Sequence, residues 1–146
     1  MNSGPTTAGD VMNAAPRTCS RFSRVIEAVM IFKDEDCGMV PVVEEGKPIG
    51  VVTDRDVALA LGSHPADLAD VPVEEVMSTG PVTVAAVAGL DDVKAIMGAA
   101  AVRRLLVVDD EGLLRGVISW KDLSAEVSDR EVGGVVSDVV DAPASP

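Results

Sequence analysis

The stretch GVVTDRDV at residues 50–57 has a counterpart in GVISWKDL at residues 116–123. Each stretch starts with a glycine and two apolar residues, continues with a hydroxyl residue, and carries an aspartate three positions later, Asp56 or Asp122. The apolar residues are typical of a strand, and a hydroxyl residue followed three positions later by an acidic one is typical of a helix start. The sequence therefore predicts one strand-to-helix junction that occurs twice.

The correspondence extends outward from this junction over most of the chain. DVMN at residues 10–13 matches EVMS at residues 75–78, and VPVV at 40–43 matches LLVV at 105–108, in both cases 65 positions later. One extra residue near Glu111 raises the separation to 66 for the junction itself. Because the matched segments follow the same order in both halves, the chain contains an internal repeat.

Each repeat is predicted to contain a strand, a helix, two further strands and a second helix. The first strand is a short apolar run near residues 18–19 or 82–84. The following helix has an apolar stripe, which comprises Val25, Ile26, Val29, Met30 and Phe32 in the first repeat, with Ser23 as N-cap, and Leu90, Val93, Ile96, Met97 and Ala100 in the second.

The remaining elements of each repeat are a hairpin and a closing helix. The hairpin is formed by residues 39–43 and 48–52 around Gly46, and again by residues 105–108 and 113–118. The closing helix covers residues 54–61 or 120–127, and a short helical lead-in precedes each repeat at 9–12 or 73–77.

The domain boundaries follow from this assignment. The repeats cover residues 8–62 and 73–127, joined by a linker at 63–72 that contains His64. Residues 1–8 are predicted to be loose, and residues 128–146 to be a partly disordered extension.

Composition excludes several classes of function. The net charge of −12 and the 2% aromatic content argue against nucleic-acid binding. Neither a signal peptide nor the run of about 18 apolar residues needed for a membrane span is present, so a cytoplasmic location without membrane contact is expected. Cys19 and Cys37 are interpreted as reduced packing residues rather than redox or zinc ligands.

The repeated motifs resemble tandem cystathionine-β-synthase (CBS) domains of the short, stand-alone bacterial type. The resemblance rests on the DVM and EVM motifs, the PVV strand and the closing Gly-apolar-apolar-Thr/Ser-x-x-Asp, and covers about residues 8 to 127. It implies a mixed α+β fold of two pseudo-symmetric β-α-β-β-α repeats packed through their sheets, with two clefts between them. It also implies a homodimer, a disc of four repeats, which regulates an unidentified protein.

The same resemblance implies binding of AMP, ADP, ATP or S-adenosylmethionine, with no required cofactor and with magnesium as an accompanying ion. Independently of it, a strand-to-helix junction offers free backbone N–H groups that favour a phosphate. Each candidate set supplies a hydroxyl group, a basic side chain and a carboxylate that can bind ribose. The first set is Thr53, Arg55 and Asp56, and the second is Ser119, Lys121 and Asp122. Two interpretations stay open for each set: ligand binding, or helix capping without a ligand.

Four further residues complete the candidate sites. Arg103 and Arg104 occupy a place from which family members send a basic side chain to phosphate, whereas their counterparts are Gly38 and Met39. The two clefts are therefore predicted to differ in charge. Thr18 and Thr83 are candidates to line the adenine through their backbone. The alternatives are solvated charges for the arginines and purely structural strand positions for the threonines.

Other polar and aromatic residues allow more than one interpretation. Arg17, Arg21 and Arg24 are available for phosphate contacts or for surface ion pairs. Trp120 is available for base stacking, for a dimer contact or for packing. His64 is expected to be solvated. Because no motif of a nucleotide hydrolase, dinucleotide enzyme or metalloprotease occurs, the chain is predicted not to be an enzyme. The alternative function is a ligand-free interaction or dimerisation module.

Overall fold

The computed structural model describes residues 7–124, which form two compact units. The first unit consists of Pro16–Pro81 with Gly112–Leu114, and the second has its described residues at 7–15, 82–111 and 115–124. The units differ from the sequence repeats, because residues 7–15 begin the first repeat but belong to the second unit. The predicted extension at 128–146 lies outside the described residues.

In chain order, the elements are α1 (Ala8–Val11), β1 (Asn13–Ala14), α2 (Val25–Glu35), β2 (Met39–Glu44), β3 (Lys47–Thr53), α3 (Asp54–Ala60), 3₁₀ turns at Leu68–Asp70 and Val73–Glu75, β4 (Ser78–Thr79), β5 (Thr83–Ala85), α4 (Leu90–Ala100), β6 (Arg104–Val108) and β7 (Leu114–Ser119). Residues 120–124 are helical, as the sequence predicts for the start of the second closing helix.

The first unit is built on the predicted hairpin. β2 and β3 pair antiparallel, and β4 pairs with the other edge of β3. Glu45 and Gly46 form the two-residue turn with φ angles of 53° and 81°, the positive values that such a tight hairpin turn requires. The buried core joins α2 to this sheet through a set of mostly small apolar residues: Cys19, Ala28, Ile31, Val40, Val42, Val52 and Val73.

The second unit has the strand order β1–β7–β6–β5. β5 and β6 run parallel, whereas β1 and β7 run antiparallel. Its core contains the inner face of α4, represented by Val93 and Met97, and the strand residues Leu105, Val107 and Ile118. The parallel pairing of β5 with β6 has a shorter counterpart in the first unit, where Cys19 forms a single parallel bridge to Val42 of β2.

Each lead-in lies in the unit built by the other repeat. β4 follows the EVM motif of the second repeat but pairs with β3, with Ser78 opposite Val51. β1 follows the DVM motif of the first repeat but pairs with β7, with Asn13 opposite Val117. Ala8, at the start of α1, is fully buried, so the prediction that residues 1–8 are loose is wrong at this position. The sequence predicted the lead-ins as helical and missed their strand pairing.

Gly50 in β3 and Gly116 in β7 make this strand pairing possible. A Cβ on Gly50 would lie 2.7 Å from the carbonyl oxygen of Ser78 and 2.9 Å from Sδ of Met77. A Cβ on Gly116 would lie 2.7 Å from the carbonyl oxygen of Asn13 and 2.5 Å from Sδ of Met12. Both glycines therefore leave room for the lead-in strand and its methionine.

Two details of the predicted helices are wrong. α2 begins after Arg24 as N-cap rather than after Ser23. Ile26 and Met30, which belong to the predicted apolar stripe, are 37% and 49% exposed, while the fully buried position between them is Ala28. Apolar spacing alone cannot distinguish a helix position that faces the core from an apolar one that faces solvent.

Candidate functional site

The first candidate site is the junction between β3 and α3. The backbone N–H of Thr53 donates to Oδ2 of Asp56 at 2.9 Å, and the backbone N–H of Asp56 donates to Oγ1 of Thr53 at 3.0 Å. These reciprocal bonds form a capping box, which satisfies two backbone donors at the start of the helix. The capping bonds that this motif predicts are therefore present, and they fix the position of the Asp56 carboxylate.

The lead-in of the second repeat supplies a third bond to this carboxylate. Oγ of Ser78 donates to Oδ1 of Asp56 at 3.1 Å. Ser78 belongs to β4, which pairs with β3. The Asp56 carboxylate is therefore held at both oxygens, by one donor from each repeat.

The second candidate site has the same construction at the junction after β7. The backbone N–H of Ser119 donates to Oδ2 of Asp122, and the backbone N–H of Asp122 donates to Oγ of Ser119, both at 3.1 Å. Nδ2 of Asn13, in β1, donates to the same Oδ2 at 2.9 Å. A residue of the first repeat thus completes the site of the second.

Asn13 and Ser78 were missed by the sequence reasoning, although a signal was present. Both follow the lead-in methionine, Met12 or Met77, and both are polar. Equivalent polar side chains at one repeat position indicate a shared role. Which aspartate each contacts depends on the exchange of lead-ins between units, which the sequence did not show.

The predicted threonines lie across a strand from the two junctions. Thr18 precedes Cys19, whose backbone bonds to Pro41 and Val43 along one edge of β2, and β3 occupies the other edge. Thr83 lies in β5 opposite Leu106 of β6, and β7 occupies the other edge of β6. Both threonines are exposed.

The predicted basic residues are arranged unequally. Arg55 and Lys121 are exposed, and each directly precedes its aspartate in the chain. Arg103 and Arg104 are half-buried at the start of β6. The carbonyl of Arg103 accepts a hydrogen bond of 2.7 Å from the backbone N–H of Trp120, which places this corner beside the second junction.

The arginines before α2 form ion pairs, as one of the two interpretations predicts. Arg17 lies 3.2 Å from Asp34, Arg21 lies 3.2 Å from Glu74 and 3.5 Å from Glu44, and Arg24 lies 3.2 Å from Asp70. All of these side chains are substantially exposed, so each pair contributes little to stability.

A cavity of about 280 Å³ adjoins the first site. It is bounded by Asp56, Leu59 and Ala60 of α3, by Ser63 and His64, and by Glu75 and Val76. The side chain of His64, which was expected to be solvated, is 28% exposed, and its Nδ1 lies 3.5 Å from Oδ1 of Asp67. The acidic residues among those that line the cavity are Asp56 and Glu75.

Trp120 and Cys19 are packing residues. Trp120 packs against the core of the second unit, and its buried Nε1 has no hydrogen-bond partner among the described residues. The packing interpretation of Trp120 is therefore confirmed. Cys19 is 4% exposed, and its burial raises the pKa of the thiol above the ordinary value, which keeps it protonated at neutral pH.

Two other kinds of site are absent from residues 7–124. In this part of the chain, no cluster of three or more His, Cys, Asp or Glu side chains is arranged to hold a metal ion. Its helices are also all too short or too polar to cross a lipid bilayer.

The sequence matches the CBS domain family model at residues 8–63 and again at residues 73–129. The chain belongs to the CBS domain family. This CBS pair is 33% identical over 131 residues to the CBS domain-containing protein YhcV of Bacillus subtilis (strain 168), covering 89% of this chain and 92% of that protein. The predicted family and its mixed α+β fold are thus confirmed.

Two further relatives show contexts in which similar pairs occur. The pair is 30% identical over 118 residues to the inosine-5'-monophosphate dehydrogenase of Nitrosopumilus maritimus (strain SCM1), covering 80% of this chain but 23% of that enzyme. The crystal structure of the CBS domain pair of protein MJ0100, in complex with 5'-methylthioadenosine and S-adenosyl-L-methionine, matches with a TM-score of 0.76 at 25% identity, covering 86% and 98% of the two chains.

Proposed function

We propose that this CBS pair is a regulatory module that binds an adenosine-containing ligand through Asp56 and Asp122. The observation that carries the proposal is the same anchored carboxylate in both units, capped within its own repeat and completed by a donor from the other. Both aspartates are half-buried and so remain accessible to solvent. Ribose hydroxyls are donors that such a carboxylate accepts.

The similarity to the MJ0100 pair supports the choice of ligand class. That protein is 25% identical and holds two adenosine derivatives, one of which carries a positive sulfonium. We therefore propose AMP, ADP, ATP or S-adenosylmethionine as the class of ligand, with magnesium accompanying a polyphosphate.

The unequal charges favour different occupancy of the two sites. The second junction lies beside Arg103 and Arg104, whereas the cavity of the first site faces Asp56 and Glu75. Like charges disfavour a phosphate in that cavity. We propose that a phosphorylated ligand binds the second site more tightly than the first.

Regulation would act through the lead-in strands. Because Ser78 and Asn13 donate hydrogen bonds to the aspartates, a ligand that binds a carboxylate also affects the position of β4 or β1. It shifts a conformational equilibrium only when it binds two states of the module with different affinity. The proposal includes a cytoplasmic homodimer that acts on a protein not yet identified.

The test is a thermal-shift and calorimetry series with AMP, ADP, ATP and S-adenosylmethionine. A ligand that binds only the folded protein raises its melting temperature by mass action. We expect Asp56→Ala and Asp122→Ala each to weaken binding at its own site. Asp54→Ala is the matched control, because it removes a carboxylate from the first turn of α3 that takes no part in the capping box. Wild-type affinity in both aspartate variants rules out the assigned sites.

A second candidate function, self-association without a ligand, is favoured by exposed apolar side chains in the first unit. Large apolar side chains there are 37–72% exposed: Phe22, Ile26, Met30, Leu59 and Leu61. The repeat counterparts of Ile26 and Met30 are Asp91 and Ala95 on α4, so the second unit lacks this patch on α4. A second copy of the chain that docks there would shield the patch from water.

Light scattering after size exclusion tests self-association. We expect Met30→Glu to convert a dimer to a monomer, and Ala95→Glu, at the exposed equivalent position of α4, to leave the dimer intact. A monomeric wild type, or equal effects of the two variants, excludes this face.

A further inference from the structure

The two aspartates differ in which carboxylate oxygens keep free acceptor positions. An ionised carboxylate has about four lone-pair positions, two on each oxygen. In Asp56, Oδ2 accepts from the backbone of Thr53 at 2.9 Å and Oδ1 accepts from Ser78 at 3.1 Å. Each oxygen of Asp56 thus retains one position.

In Asp122, both bonds fall on one oxygen. Oδ2 accepts from the backbone of Ser119 at 3.1 Å and from Nδ2 of Asn13 at 2.9 Å, which fills its two positions. Oδ1 has no partner among the described residues. Asp122 therefore offers acceptor positions on a single oxygen.

The side chain after the lead-in methionine causes this difference. Asn13 and Ser78 occupy equivalent places, opposite Val117 and Val51 in the two strand pairs. The backbone register and the capping bonds are the same in both units, so the position and length of the donor decide which oxygen is bonded. The amide of Asn13 extends one atom farther than the hydroxyl of Ser78 and reaches Oδ2.

We propose that Ser78 and Asn13 are positioning residues that set how each site recognises a sugar diol. Asp56 accepts two vicinal hydroxyls, one on each oxygen, and is selective for a ribose that carries both. Asp122 accepts through Oδ1 alone and tolerates the loss of one hydroxyl. This inference rests on the proposed binding of an adenosine-containing ligand.

The test compares parent and deoxy ligands at one site at a time. Asp122→Ala isolates the first site and Asp56→Ala isolates the second. The probes are AMP and ATP with their 2′-deoxy and 3′-deoxy forms, measured by calorimetry. At the first site, we expect each deoxy form to bind about tenfold more weakly, because each loses one hydrogen bond to a charged acceptor. At the second site, we expect one deoxy form to bind within about threefold of its parent.

Exchange of the two positioning residues gives the sharper readout. With the first site isolated, Ser78→Asn should abolish selectivity against one deoxy form, whereas Ser78→Ala should keep it, since both oxygens still have free positions. With the second site isolated, Asn13→Ser should create selectivity against both forms. The measured quantity is the ratio of parent to deoxy affinity, which a general loss of stability does not change.

The outcomes separate the two proposals. Binding with the same ratio at both sites, or a ratio that neither exchange alters, overturns the role of Ser78 and Asn13 and leaves ligand binding intact. If the wild-type chain binds neither AMP nor ATP nor S-adenosylmethionine, the proposed function and this inference fail together.

Discussion

Replacement of Gly50 by alanine tests the packing of the lead-in strand against β3. The added Cβ would lie 2.7 Å from a backbone oxygen of Ser78 and 2.9 Å from Sδ of Met77. The methionine side chain can move, but the backbone oxygen can retreat only if β4 separates from β3. The added methyl group is therefore expected to weaken the pairing of β3 with β4 and the hydrogen bond from Ser78 to Asp56.

The magnitude follows from two opposing effects. Gly→Ala without strain stabilises a protein by about 0.4–1 kcal/mol, because the unfolded chain loses conformational freedom. Overpacking of a close contact costs about 1–3 kcal/mol. The net expectation for Gly50→Ala is a loss of about 1–2 kcal/mol, or about 2–8 °C in melting temperature for a chain of this size.

Urea and thermal unfolding followed by circular dichroism measure this change. Gly98→Ala is the matched control, because nothing lies within 4 Å of its added Cβ in α4. There the substitution should stabilise the chain by about 0.5–1 kcal/mol. The reasoning is refuted if Gly50→Ala is as stable as wild type, or if both variants shift in the same direction.

Four further predictions concern single side chains. Thr53→Ala removes the cap of α3 and should cost about 1 kcal/mol, whereas Thr18→Ala, at an exposed position, should leave the melting temperature unchanged. Arg21→Ala should cost less than about 1 kcal/mol in urea titrations, and less still in high salt, because its ion pairs are exposed. Iodoacetamide should label Cys37 before Cys19 in mass spectrometry of the native chain. Burial raises the pKa of Cys19 in the folded chain, so its neutral thiol contributes stability below the ordinary pKa of 9.0. That contribution is lost as pH rises through the higher folded pKa. Cys19→Ala should therefore reduce the loss of melting temperature at alkaline pH.

Elements with a long apolar pattern could be predicted from the sequence. The hairpin of β2 and β3 is marked by two apolar runs around Gly46, and α4 by the regular spacing of Val93 and Met97. The turn and the helix are local features, so their signals lie within a few residues. The same logic failed for Ile26 and Met30, because a helix in a small unit can carry apolar residues on its outer face.

The exchanged lead-ins could not be predicted in this way. β1 and β4 contain two residues each, too few to show an alternating pattern. Their partners β7 and β3 belong to the opposite repeat, so no local feature identifies them. For the same reason, the aspartates were found through their capping motif, while Asn13 and Ser78, which act only through long-range pairing, were missed.

The exchange of lead-ins also sets an order for folding during synthesis. Ser78 pairs with Val51, so β4 finds its partner already made when it leaves the ribosome. Asn13 pairs with Val117, so β1 is made early and must wait until nearly the whole second repeat has been translated. Long-range pairings of this kind form slowly. The segment around α1 and β1 is therefore among the first parts of the described chain to emerge and among the last to reach its native place. Until then its apolar residues stay accessible to a chaperone.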